Sequence, residues 1–423
     1  MTAYDVEIMA PVGSYESLMA AIQGGADSVY FGIGKLNMRS NSSKNFTLDD
    51  LVTISKIAKE HGLRTYITLN TVIYDEELED MKQIVDAAKA NNITAIIASD
   101  QSVIQYARKQ GMEIHMSTQT NITNMEAVKY YAQFADVMVT ARELNLNQVK
   151  YITTQIREQN ITGPSGKLVQ IEIFAHGALC MAVSGKCYLS LDNLNSSANR
   201  GACLQPCRRK YIVKDKESDL ELEIDNEYIM SPKDLNTVSF LDKMLDAGVR
   251  VLKLEGRGRS AEYVKTVASV YREAVNAWFD GEYTQDKIDQ WNQRLSTVYN
   301  RGFWDGYYLG RKMGEWTENY GNQATQRKLY VGKITNFFKK IGVAEIKVEA
   351  NTLSLNEEIK VLGPTTGVYE DVVSEIRLDD GNVVNIAPKG SVCSIKTTEM
   401  LRRGDKVYKV VPADITVPNL VQR

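Results

Sequence analysis

"EIMAPVGSYESLMAAIQGGADSVYFG" (residues 7–32) reads as one strand–helix–strand unit. Its ends, EIMA (7–10) and SVYFG (28–32), are short runs rich in apolar residues, as strands buried on both faces should be. Between them SYESLMAAIQGGA has the composition of an amphipathic helix, with Ser14 as its N-cap and the Gly24–Gly25 pair as its stop.

The unit recurs along the chain. Further candidate strands are RTYITL (64–69), AIIAS (95–99), EIHMST (113–118), DVMVT (136–140), QIEIFA (170–175) and VLKLE (251–255). Segments with 3.6-residue periodicity, such as DEELEDMKQIVDAAKANN and SAEYVKTVASVYREAVNAWF, separate them. Eight strand–helix units point to an α/β fold, a parallel (β/α)8 TIM-like barrel; the rival, an open doubly wound sheet, would use five or six. One connection is anomalous. About 75 residues separate the seventh and eighth strands, far more than a usual βα connection. This insert starts at the C-terminal end of strand seven, on the face where active sites of this fold sit.

From about residue 328 the helical period gives way to short alternating strands, LYVGKI, GVAEIKVE, EEIKVLG, VVSEIRL, VCSIKT and DKVYKV, with turns at DDGN and RRGD. The expected organisation is a barrel over 1–280, a helical and aromatic connector over 281–327, and a small antiparallel β-barrel over 328–423. Within the connector, Phe303, Trp304, Tyr307 and Tyr308 are expected to pack between the two parts rather than stack on bases.

Hydrophobic content of 43%, charged content of 24% and a net charge of −3 are ordinary for a globular protein and give no global case for nucleic acid. Local basic stretches do exist, at CRRKYIVKDK (207–216) and RKLYVGKITNFFKK (327–340). No apolar run reaches the ~18 residues of a membrane span, and the N-terminus does not read as a secretory signal. A cytoplasmic protein without membrane contact is expected. In that reducing compartment clustered cysteines are metal ligands or catalytic groups before they are disulfides.

Such a cluster exists. EIFAHGALCMAVSGKCYLS (172–190) and CLQPC (203–207) bring four of the five cysteines within 28 positions. The spacing, C-x6-C then C-x3-C, lacks the paired C-x-x-C of a zinc ribbon. Iron–sulfur clusters accept more varied spacing. A thiol nucleophile would need a base, and His176 lies four residues before Cys180. Chemistry alone ranks an iron–sulfur cluster first, zinc second and a nucleophile third. Cys393 lies in an alternating β pattern and reads as core.

Other candidates sit where strand ends place them: Asn70, Asp100, Gln119, Arg142, Glu172, His176 and Glu255. Arg257 and Arg259 in EGRGRSAEY precede a helix, a setting suited to a carboxylate or phosphate. The accompanying G-x-G-x-x-A follows the last barrel strand and opens no Rossmann unit. Glu172 and Glu255 fall on neighbouring strands, where buried carboxylates need partners, and Arg257 or Arg142 are the expected ones. His61 caps a helix C-terminus, and His115 in EIHMST is expected to face the barrel interior. No H-E-x-x-H, G-x-S-x-G or S-x-x-K engine is found.

The segment EIFAHGALCMAVSGKCYLS, through Glu172, Phe174, Gly177, Ala178, Leu179, Cys180, Gly185, Cys187, Leu189 and Ser190, resembles the signature of the collagenase-like peptidase family 32 of the unclassified peptidases. GACLQPCRRKY resembles the branch whose members hydroxylate tRNA. APVGSYESLMAAIQGGADSVYFG, STQTNITN, SPKDL and LKLEGRGRS also look like family segments, so the resemblance spans essentially the whole chain. It implies two activities: collagenolysis, from which the family takes its name, and oxygen-independent hydroxylation of RNA or ubiquinone precursors. The hydroxylating members carry a 4Fe–4S cluster, which would fall here on Cys180, Cys187, Cys203 and Cys207. In the RNA branch prephenate is the implied co-substrate.

The expected function is therefore hydroxylation of the tRNA wobble uridine to 5-hydroxyuridine. His176, Glu172 and Glu255 are the catalytic candidates; Arg142, Arg257, Arg259, Asn70 and Gln119 are the substrate-binding ones. The anticodon loop would enter the barrel mouth while the 327–340 seam and CRRKY touch phosphates. The terminal barrel also resembles those of elongation factors, a fold-level analogy. A homologous protein partner is implied because some relatives act in pairs. The alternatives are a peptidase of the same family and a non-catalytic RNA-binding or assembly partner.

Overall fold

The computed structural model describes residues 2–40, 45–211, 230–310, 314–317 and 321–413. Residues 212–216 of the first basic stretch and 414–423 of the terminal segment lie outside the described residues.

Seven consecutive parallel strands, β1 (Glu7–Pro11), β2 (Ser28–Gly32), β3 (Arg64–Leu69), β4 (Ala95–Ala98), β5 (Glu113–Met116), β6 (Val137–Val139) and β7 (Gln170–Gly177), pair in sequence order. A short strand, β8 (Asp234–Asn236), belongs to the insert, and β9 (Val251–Leu254) is the eighth barrel strand. β9 pairs in parallel with both β1 and β7 and so closes the barrel. The opening unit folds as its sequence dictates. Ser14 Oγ accepts the Ser17 N–H at the start of the helix Tyr15–Gln23, and Gly25 leaves it at a φ of +74°.

β7 and β9 run in register from Glu172–Val251 to Phe174–Lys253, then slip so that His176 faces Leu254. Ala175 is the extra residue of a bulge, and a bulge changes the face that the following side chains take. Beyond it β8 pairs antiparallel with the end of β7, and Phe303–Trp304 adds in parallel to β8. The insert and connector thus extend the barrel sheet at its mouth. The aromatic segment packs there: Trp304 and Tyr308 are buried, and Tyr308 Oη donates to Phe174 O at 2.8 Å.

Helices cover the outside of the barrel over one large apolar core. A smaller cluster holds Met9, Tyr30, Tyr66, Ile97 and Val251. Branched apolar residues usually fill the interior layers of this fold, yet Glu7, His115, Glu172 and Lys253 are also buried here.

The C-terminal strands, from Gln326–Phe338 to Lys406–Pro412, form an eight-stranded antiparallel sheet with a separate two-stranded ladder. They surround their own core of residues such as Val331, Ile346, Val361 and Cys393. Polar contacts hold this sheet to the barrel helices: Gln23 Nε2 donates to Thr366 O at 3.0 Å, and Lys265 Nζ lies 2.9 Å from Glu370 Oε2. Lys328 of the second basic stretch pairs with Glu262, also at this seam. Among the described residues no helix is long and apolar enough to cross a membrane.

Tyr271 ties the bulge to the insert. Its hydroxyl donates to Ala175 O at 2.7 Å and accepts the Thr237 N–H at 3.0 Å. Tyr271→Phe leaves a buried N–H unmet and should lower stability by about 1–3 kcal/mol. Urea unfolding would show this as a lower midpoint at unchanged slope.

Candidate functional site

A cavity of about 320 Å³ opens at the barrel mouth. All four clustered cysteines line it, together with Asn70, Gln119, Arg142, Glu255, Arg257 and Arg259. Arg208 of the CRRKY stretch also lines it, with Tyr30, Arg39, Lys253 and Arg301, which were not singled out in the sequence. Lys253 had a signal, a charge inside the apolar run VLKLE. Arg39 had none, and Arg208 stood out only within the basic stretch CRRKY; the fold brings both to the mouth.

The insert is fastened by its arginines. Arg208, beside Cys207, donates to Leu179 O at 2.7 Å and to Ser231 Oγ at 2.9 Å. Since Leu179 adjoins Cys180, one guanidinium draws the two cysteine segments together. Arg200 forms a two-pronged ion pair with Glu77 and lies over the Tyr74 ring, anchoring the insert on the β3 side. Gly177 permits a close approach: at a φ of +105°, an added Cβ would lie 2.4 Å from Glu255 O.

Glu255 is the carboxylate at the centre of the mouth. Its Oε1 lies 2.9 Å from Arg39 Nη2, and its Oε2 accepts the Ala178 N–H at 3.3 Å. Burial alone would raise its carboxyl, but Arg39, Arg259 and Arg142 outweigh burial and hold it down to about 2. Glu255 is therefore ionised at any working pH, which suits it to organising charge rather than transferring protons.

Arg142, Arg257 and Arg259 contact neutral groups. Arg142 donates to Ala178 O at 3.1 Å and lies 3.8 Å over the Phe174 ring, with its Nε buried and unpartnered. Arg257 donates to Thr68 Oγ1 at 2.9 Å; burial pushes it down to about 10, so it stays cationic. Arg259 stacks 3.5 Å over Tyr299. The expected pairing of Arg257 or Arg142 with the two glutamates is corrected: Arg39 bridges Glu255, and Lys253 Nζ lies 2.6 Å from Glu172 Oε1. Asn70 Nδ2 donates to Ser117 Oγ at 3.2 Å and to Gln119 Oε1 at 3.4 Å, forming a neutral polar wall. Asp100 caps the helix Gln101–Lys109.

Two of the catalytic candidates do not line the cavity. Glu172 is fully buried beneath its floor. His176 follows the bulge and packs among Tyr263, Tyr271 and Phe303, with ring centroids 5.7–6.0 Å away. Burial pushes its imidazole down to about 3, so it is neutral. The proximity of His176 to Cys180 in sequence therefore creates no Cys–His pair in the cavity.

All four clustered thiols are free. Burial pushes Cys207 up to about 11 and raises Cys203, and the neighbouring thiolates, Cys180 among them, add to both shifts. Four thiols lining one cavity have the donor chemistry of a thiophilic metal or cluster. As they stand, no three His, Cys, Asp or Glu side chains among the described residues converge closely enough to hold a metal ion.

Glu255→Gln should cost about 3 kcal/mol at pH 7. Because the folded value is depressed, that contribution is present above the ordinary value of 4.5 and is lost as pH falls toward about 2. Urea unfolding of both proteins from pH 7 downward should show the gap closing over that window. A gap independent of pH would mean that the charge is not what stabilises the mouth.

Comparison with known proteins places the chain in a family. The model for Peptidase family U32 matches residues 13–318. The chain is 56% identical over 409 residues to a Porphyromonas gingivalis protein named collagenase, covering 97% of this chain and 99% of that one. It is 29% identical over 389 residues to the tRNA hydroxylation protein P1 of Bacillus subtilis, covering 90% and 89%. It is 28% identical over 420 residues to the 23S rRNA 5-hydroxycytidine C2501 synthase of Escherichia coli, covering 98% of this chain and 57% of that protein. By the extent of these matches, the chain belongs to Peptidase family U32.

Proposed function

We propose that the protein is a cytoplasmic RNA-modifying hydroxylase that converts the wobble uridine of tRNA to 5-hydroxyuridine without molecular oxygen. The observation that carries this reading is the sharing of one barrel-mouth cavity by four free thiols and a ring of guanidinium groups. Cys180, Cys187, Cys203 and Cys207 would hold a 4Fe–4S cluster, which when bound supplies a redox or Lewis-acid centre. The names of the B. subtilis and E. coli relatives support RNA as the substrate class.

In this reading the chain's own residues bind and orient. Arg142, Arg257 and Arg259 hold the carboxylates of prephenate, since guanidinium forks match carboxylate geometry. Asn70 and Gln119 offer neutral hydrogen bonds to a base or hydroxyl. Glu255 keeps Arg39 and the Ala178 backbone in place. The anticodon loop delivers its base to the mouth, with phosphates on the basic segments, and a homologous protein assists.

One observation favours a second reading, a peptidase: the 56% identity to a protein named collagenase. Its nucleophile would be one of the cavity thiols, with Cys180 the most exposed. A base for it would have to come from somewhere other than His176.

The test is nucleoside mass spectrometry on tRNA from a strain unable to make 5-hydroxyuridine. Wild-type protein should restore the nucleoside, and Cys180→Ser should reduce it at least tenfold. Anaerobically purified wild type should be brown with bound iron and sulfide, and the variant pale. Failure of a soluble wild type, alone and with its homologous partner, rejects the hydroxylase. Gelatin cleavage by purified wild type that is lost on removal of the four cavity cysteines establishes the peptidase.

A further inference from the structure

Below the cavity floor the barrel interior holds a column of titratable groups. Lys253 lines the cavity, and its Nζ lies 2.6 Å from Glu172 Oε1. Glu172 Oε2 faces His115 Nδ1 at 3.9 Å, and neither atom has a hydrogen-bond partner. On the other side of the ring, His115 Nε2 lies 3.0 Å from Glu113 Oε1. The side chains of Lys253, Glu172 and His115 are 6%, 0% and 1% exposed, while that of Glu113 is 38% exposed. Glu113 is the first residue of β5, so the column opens at the face of the barrel opposite the cavity.

We propose that Lys253, Glu172, His115 and Glu113 form a proton path between the cavity floor and solvent at the N-terminal face of the barrel. Well-packed apolar residues would stabilise these layers at least as well as buried charges do, so the column has no evident structural purpose. The unpartnered pair is its most informative part. Two polar atoms buried and facing each other make a place where a proton is accepted or passed on, and a small approach brings them into contact. The surroundings hold the ring while leaving that edge free. Tyr66 on β3 stacks against His115 at 4.5 Å and gives its hydroxyl to Glu7 on β1, which Arg64 also pairs. Tyr30 on β2 lies under the Lys253 ammonium at 4.7 Å and donates to Leu254 O.

The transfer balances. Lys253 gives a proton to a reactant in the cavity and recovers one from Glu172. Glu172, a carboxylate in its ion pair with Lys253, first takes that proton from His115 Nδ1 and passes it on, as Nε2 takes a proton that Glu113 has drawn from solvent. One proton moves from solvent to the reactant, and the ring ends in its other tautomer. A reaction that releases a proton runs the path in reverse. The proposal therefore does not depend on which reaction the cavity performs.

The chain has only three histidines, so 15N-histidine labelling of the full-length protein isolates the His115 ring, assigned by its loss in His115→Gln. Solvent exchange of its ring N–H should be fast in the wild type, at least tenfold slower in Glu113→Gln, and restored in Glu113→Asp. A ring N–H protected in the wild type, or exchange indifferent to Glu113→Gln, overturns the path whatever the fate of the hydroxylase reading. Once an activity is in hand, Glu113→Gln should lower kcat about tenfold at constant KM, with recovery by imidazole buffer. An unchanged kcat in that variant overturns the link to chemistry.

Discussion

The ion pair between Glu255 and Arg39, joined by the Ala178 N–H, organises the mouth of the barrel. Arg39 follows β2, Ala178 begins the cysteine insert, and Glu255 ends the last barrel strand, so one carboxylate joins three distant parts of the chain. It also lies among guanidinium groups that would otherwise repel one another. Remove its charge and Arg39, Arg142 and Arg259 lose the counter-ion that justifies their burial. The position of Cys180, two residues beyond Ala178, depends on this anchor and on Arg208 holding Leu179 O from the other side.

Much of this was legible in the sequence, for a physical reason. Strands buried on both faces cannot hide polar residues cheaply, so EIMA, SVYFG and AIIAS stand out as runs, and all eight barrel strands were located from them. The cysteines were legible because unrelated loops do not gather thiols by chance. β8 was not. Asp-Leu-Asn at 234–236 pairs only because the bulged end of β7 presents a free edge to it. His176 lies away from the cavity for a related reason. Strand alternation from Glu172 through Phe174 predicts that His176 points inward, but Ala175 interrupts the ladder and sends it toward Tyr271. One extra residue changes the face, and no local composition announces it.

The partners of the buried glutamates show a second limit. Arginine is the usual partner of a buried carboxylate, but Arg142 and Arg257, the arginines at strand ends, lie at the mouth rather than beside Glu172. Lys253 lies two residues before Glu255 and shares its inward face, directly across from Phe174 on β7. Period two along β9 was enough to find it. A charge inside an apolar run is more informative than one at its end, because only the interior position must be neutralised by the fold.

The charges of the mouth bear on what the cavity can hold. Arg39 is matched by Glu255, Arg301 by Asp234 and Lys253 by Glu172. Arg142, Arg208 and Arg257 make hydrogen bonds to neutral oxygens, which satisfy donors without balancing charge, and Arg259 lies on an aromatic face. Ionised Cys180 would favour the cationic forms of Arg39, Arg142 and Arg208 together. The thiols and the arginines are thus complementary. Each set is destabilised by its own charges, and each relieves the other when the thiols ionise. A cavity built this way holds positive charge enough to seat an anionic reactant beside the thiols. A neutral peptide bond would call on a thiol alone and leave the guanidinium groups unmatched.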